Sequence, residues 1–109
     1  MTPHLALAIS IVAEIAATLS LKAADGLTRI GPTAVVVLGY GLALWLMSTA
    51  IGQLPIGFVY ALWSSIGMVG AAIGGVVLYR ETFNMTMLLG IAVIAIGITV
   101  LAIGQGHAE

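Results

Sequence analysis

One carboxylate, Glu14, stands in the middle of the apolar stretch 5–21, and no Lys, Arg or Asp shares that stretch with it. Ser10 and Thr18 lie four residues to either side. On a helix that spacing gathers the three side chains into one polar stripe, with Leu7 and Ile11 among the apolar residues flanking it. In an apolar medium, desolvation disfavours the ionised form of a carboxylate, while a cationic ligand favours it. Proton release and cation binding then become competing events at one side chain. The alternative for Glu14 is a permanent hydrogen bond to a neighbouring helix, acting only as a lock.

A second group of residues has the chemistry to complement a cation. Tyr60, Trp63, Ser64, Gly67, Ala71 and Gly74 fall at i, i+3, i+4, i+7, i+11 and i+14, one side of a helix. Aromatic faces attract organic cations through the ring quadrupole. Trp and Tyr also gather at membrane interfaces, which competes as an explanation for Tyr60 but suits Trp63, well inside its apolar stretch, less. Tyr40 lies near the middle of another apolar stretch, where its hydroxyl needs a partner. Trp45, five positions on, points elsewhere.

The elements that position these residues follow from composition. The 109-residue chain is 61% hydrophobic and 6% charged, with a mean hydropathy of +1.23. Three basic and four acidic side chains cannot cover the surface of a water-soluble domain, so lipid is the solvent for most of it. A net charge of −1 argues against nucleic-acid binding, which needs clustered cations on phosphates. The absence of Cys removes disulfides and thiolate chemistry. No basic residue precedes the first apolar stretch and Glu14 interrupts it, features unlike a cleaved signal peptide.

Besides 5–21, the stretches 34–52, 56–79 and 85–104 carry no charge at all. At ~1.5 Å per residue each stretch roughly matches a hydrocarbon core of about 30 Å. Only helices satisfy their own backbone there, since a spanning strand is shorter and alternates in polarity. The expected fold is therefore all-α and integral to the membrane. Its one domain, 1–109, has four transmembrane helices near 4–22, 32–52, 56–79 and 85–104.

Gly26 suits the left-handed conformation beyond a helix end, and Pro32 suits the first turn of the second helix. Lys22, Arg29 and Arg80 fall on one membrane side and loop two has no cation, a bias of three charges. That small bias is compatible with insertion in both orientations. Gly70 and Gly74 form a GxxxG, and Gly90, Gly97 and Gly104 recur every seven residues, a spacing that suits close helix pairing. Four helices enclose little volume, so a partner chain packing on Gly90 and Gly97 is expected, the alternative being ordinary packing within the chain. No metal or other cofactor is implied, because the glycines lie inside apolar helices and not in a phosphate-cradling loop.

Taken in order, Ala13-Glu14-Ile15, Lys22 with Gly26-Leu27-Thr28-Arg29 and Pro32, Leu54-Pro55-Ile56-Gly57, and Tyr60-Ala61-Leu62-Trp63-Ser64 followed by Gly67 resemble the small multidrug resistance family. The resemblance spans essentially the whole chain. It implies a multi-pass protein of the bacterial inner membrane that exports cations in exchange for protons. It also implies an antiparallel homodimer with two facing copies of Glu14, or a heterodimer with a homologous chain. Within the family the chain resembles the branch exporting quaternary-ammonium and polyaromatic cations, associated with antiseptic resistance. The guanidinium branch usually has a Trp soon after the glutamate, where this chain reads Ile15-Ala16-Ala17-Thr18.

By position, Glu14 matches the shared proton and substrate site, Tyr40, Tyr60 and Trp63 the substrate-contacting aromatics, and Ser64 a polar neighbour. His4, Val59 and Ser65 depart from the common pattern. The implied partners are protons, small organic cations and lipid, with no enzymatic activity. The competing readings are a guanidinyl or polyamine exporter of the same fold, and a non-transporting subunit of a membrane assembly.

Overall fold

A computed structural model of the chain describes residues 1–107. It contains four helices, α1 (Pro3–Ala23), α2 (Ile30–Ile51), α3 (Ile56–Tyr79) and α4 (Met85–His107). Each is long and apolar enough to cross a membrane. At ~1.5 Å per residue they run roughly 32–36 Å, slightly more than a hydrocarbon core. The chain divides into two compact units, Met1–Leu54 and Pro55–Glu109, each built on one helix pair.

The helix ends have local causes. Thr2 accepts a bond from the Leu5 N–H and Pro3 occupies the first turn of α1, where its missing N–H is harmless. Pro32 lies in the first turn of α2, as expected, although the helix begins two residues earlier at Ile30. Asn84 starts α4, its side-chain oxygen accepting from the Met87 N–H at 3.0 Å. Gly26 has φ +70°, and Asp25 and Leu27 on either side are also left-handed. Leu27 gains no backbone freedom from its side chain, so this turn carries a local conformational cost. Arg80 takes the left-handed position ending α3, and the Glu81 N–H returns to the Gly75 carbonyl.

In the first unit, α1 and α2 pack with small residues at the contact. Ala6, Ala17, Ala43 and Ala50 are buried there, beside the larger Leu7, Ile11, Val36 and Leu46. The closest approach is at Gly39. A Cβ added there would lie 2.9 Å from the Ala17 Cβ and 3.1 Å from the Ala13 carbonyl oxygen. Small facing residues are what allow helix backbones to meet this closely where no water drives association.

In the second unit, α3 buries Val59, Gly67 and Gly75. On α4 the half-buried positions are Met87, Ile91, Ile94, Ile98, Ala102 and Gln105, a stripe of helical period. The glycines at 90, 97 and 104 lie about a quarter turn from that stripe. Among the described residues of this unit, a Cβ added at any of the three would meet nothing within 4 Å.

Candidate functional site

The polar stripe of α1 resolves into two parts with different partners. Ser10 is fully buried and donates its hydroxyl to the Ala43 carbonyl of α2 at 2.6 Å. That bond pins the two helices and leaves Ser10 facing α2. Leu7 and Ile11, also expected near the site, are buried as well. Glu14 and Thr18 are only partly buried.

Thr18 is the centre of the second part. Its Oγ1 donates to Glu14 Oε1 at 3.1 Å and lies 2.7 Å from the Tyr40 hydroxyl. Thr18 has one hydroxyl proton. With that proton on Glu14, the Tyr40 O–H donates to Thr18, and the three groups form one directed chain, Tyr40 to Thr18 to Glu14. The other carboxylate oxygen, Oε2, is buried and has no hydrogen-bond partner.

This use of a hydroxyl differs from others along the chain. Ser48, Thr49, Ser64, Ser65 and Thr99 each donate to a carbonyl about one turn back on their own helix. That is the ordinary way to satisfy a hydroxyl inside an apolar helix. Thr18 instead connects a carboxylate on its own helix to a tyrosine on the next.

The relay exists because α1 and α2 nearly touch. Gly39 sits against Ala13 and Ala17, immediately before Tyr40 and beside Thr18, so the tyrosine ring reaches the stripe without a gap. Sequence reasoning did not single out Gly39. The available signal was a glycine preceding a mid-helix tyrosine, with Ala13 and Ala17 a turn apart on the glutamate's own helix.

In the second unit, Tyr60 and Trp63 stack with ring centroids 6.3 Å apart and planes 25° from parallel. Their spacing of three residues puts them side by side on α3, as the sequence implied. Tyr60 is 58% exposed. The Ser64 hydroxyl, expected to be a polar neighbour of the site, is bonded at 2.7 Å to the Tyr60 carbonyl.

Four apolar helices of bilayer length, with one carboxylate near the middle of the first, define a polytopic membrane protein. The profile of the Small Multidrug Resistance protein family matches residues 2–94, and the chain belongs to that family. It is 38% identical to the quaternary ammonium compound-resistance protein QacF of Klebsiella aerogenes over 87% of this chain and 86% of that one. It is 40% identical to a multidrug transporter of Pseudomonas aeruginosa, over 98% of this chain and 100% of the relative. Identity to the multidrug resistance protein EbrA of Bacillus licheniformis is 38%, covering 90% and 93% of the two chains. Members of the family are transporters and not enzymes, and they reside in the bacterial inner membrane.

Proposed function

We propose that the protein is an antiporter that exports lipophilic and aromatic cations, quaternary ammonium compounds among them, in exchange for protons. One observation carries the reading. Glu14 holds a carboxylate in a bilayer-spanning helix with one oxygen bonded and the other, Oε2, buried and unpartnered. An intramembrane charge without a permanent partner is costly, ~2.5 kcal/mol or more, and persists where a mobile ligand compensates it. A proton and an organic cation both compensate it, and neither does so while the other is bound. The names of the relatives support the choice of cation class.

On this reading Glu14 binds either the proton or the substrate, and Tyr60 and Trp63 offer ring faces to a cation of the same class. The active form is a dimer of oppositely oriented copies, each contributing Glu14. Within the second unit, no described residue lies within 4 Å of a Cβ added at Gly90 or Gly97, and this supports a helix partner on that side of α4.

The test is binding of tetraphenylphosphonium to purified protein across a pH series, with proton-driven uptake into proteoliposomes beside it. Wild-type binding should tighten as pH rises, because deprotonation frees the carboxylate. Glu14→Gln should lose both the pH dependence and the uptake. A Gln variant that binds and transports like the wild type would sink the proposal.

A further inference from the structure

The two oxygens of Glu14 have unlike surroundings, and Tyr40 is linked to only one of them. Thr18 donates to Oε1 at 3.1 Å, Tyr40 stands 2.7 Å behind Thr18, and Oε2 has no partner. We propose that Tyr40 is a positioning residue that acts through Thr18 to hold Oε1, leaving Oε2 as the atom where proton and organic cation compete. The assignment rests on the exchange reading above and deepens it.

Three physical arguments support it. First, a hydroxyl whose own oxygen accepts a bond becomes a better donor, so Tyr40 strengthens the Thr18–Glu14 bond without touching the carboxylate. Second, a donor at Oε1 stabilises the ionised group and orients the carboxyl plane, while it leaves the lone pairs of Oε2 available. Third, the tyrosine hydroxyl is already engaged, so the polar end of Tyr40 is aimed at Thr18.

No other titratable side chain of the first unit competes for this role. Tyr40 is the only titratable residue of α2. On α1, Lys22 and His4 lie eight and ten positions from Glu14, roughly 12 and 15 Å along the axis. Asp25 and Arg29 lie beyond the end of α1.

The experiment measures tetraphenylphosphonium affinity of the detergent-solubilised full chain against pH, for wild type, Thr18→Val, Thr18→Ser, Tyr40→Phe and Thr18→Val/Tyr40→Phe. Val keeps the shape of Thr and removes the donor. The ionised carboxylate then loses a bond that the protonated one does not need. The pH of half-maximal binding should rise by about one unit, equivalent to about tenfold weaker binding below it. The affinity reached at high pH should stay within about twofold of wild type, a change of roughly 0.4 kcal/mol.

Tyr40→Phe should raise the midpoint by less and in the same direction, Thr18→Ser should leave it in place, and Tyr40→Phe should add nothing to Thr18→Val. An unmoved midpoint in Thr18→Val overturns the assignment. So does a Tyr40→Phe variant that loses high-pH affinity equally in both backgrounds, since that marks direct contact with the cation. Should Thr18→Val fail to fold, the Tyr40→Phe midpoint decides alone. Binding by the wild type that ignores pH overturns the exchange reading, and this assignment with it.

Discussion

Gly39→Ala is the smallest change that tests whether helix contact sets the geometry at Glu14. The added methyl would stand 2.9 Å from the Ala17 Cβ and 3.1 Å from the Ala13 carbonyl oxygen. Carbon contacts rest at about 3.5–4.0 Å, so the helices must part by roughly 0.6–1 Å at this level. Overpacking of this kind costs about 1–3 kcal/mol. Alanine recovers about 1 kcal/mol of helix propensity over glycine, which leaves a net loss of about 0–2 kcal/mol in the α1–α2 pair.

The larger consequence is for the relay. Tyr40 follows residue 39 directly, and its 2.7 Å bond to Thr18 would stretch by a similar amount. That exceeds the ~2.5–3.0 Å range of good O–H···O bonds. The variant should therefore raise the pH of half-maximal tetraphenylphosphonium binding as Tyr40→Phe does, with a modest fall in resistance to denaturation by SDS. Adding Ala17→Gly, which removes the nearest contact, should restore much of both. A Gly39→Ala protein with unchanged midpoint and unchanged denaturation would refute the close approach. Destabilisation without a midpoint change would keep the approach and break its link to the carboxylate.

Two further outcomes follow from the second unit. Removing the Trp63 ring with Trp63→Ala should weaken tetraphenylphosphonium binding roughly 2- to 30-fold, from a cation–π attraction of ~0.5–2 kcal/mol; equilibrium binding at high pH checks it, and unchanged affinity would make the Tyr60–Trp63 pair a packing feature. Gly97→Val adds a side chain where nothing lies within 4 Å of the Cβ position, so it should leave membrane insertion intact while lowering the dimer fraction in crosslinking, and a normal dimer would move the interface elsewhere.

Much of the fold was legible because lipid leaves few choices. Once the chain had to satisfy its backbone inside each apolar stretch, helices followed, and the expected span 56–79 coincides with α3. The other boundaries slipped for identifiable reasons. Pro32 read as the opening of α2, but proline is harmless anywhere its N–H has no intrahelical partner, and the helix starts at Ile30. Gly104 read as the end of α4, yet a glycine lowers helix propensity without by itself stopping a helix, and α4 continues to His107.

The site was legible in its residues and not in its connections. Ser10 and Thr18 are equivalent in the sequence, each four residues from Glu14. Which of them bonds to the carboxylate is decided by the register of α2. With Gly39 against Ala13 and Ala17, the Ala43 carbonyl falls at Ser10 and the Tyr40 hydroxyl at Thr18. No periodicity within one helix contains that information, because it belongs to the pairing of two.

That register also bears on the rival view of Glu14 as a static lock. A buried carboxylate used only to join helices is cheapest when both oxygens are bonded, since each lone pair left without a donor in a low-dielectric medium adds a desolvation penalty. Here α2 offers its donor to one oxygen, through Thr18, while Oε2 is left without one. The Ser10 hydroxyl, one turn away on the same stripe, is bonded to the Ala43 carbonyl. Joining the helices therefore falls to Ser10 and to the Gly39–Ala17 contact, which do so without charge. A carboxylate relieved of that task, bonded at one oxygen and left without a donor at the other, has the form that the proposed exchange of proton for cation requires.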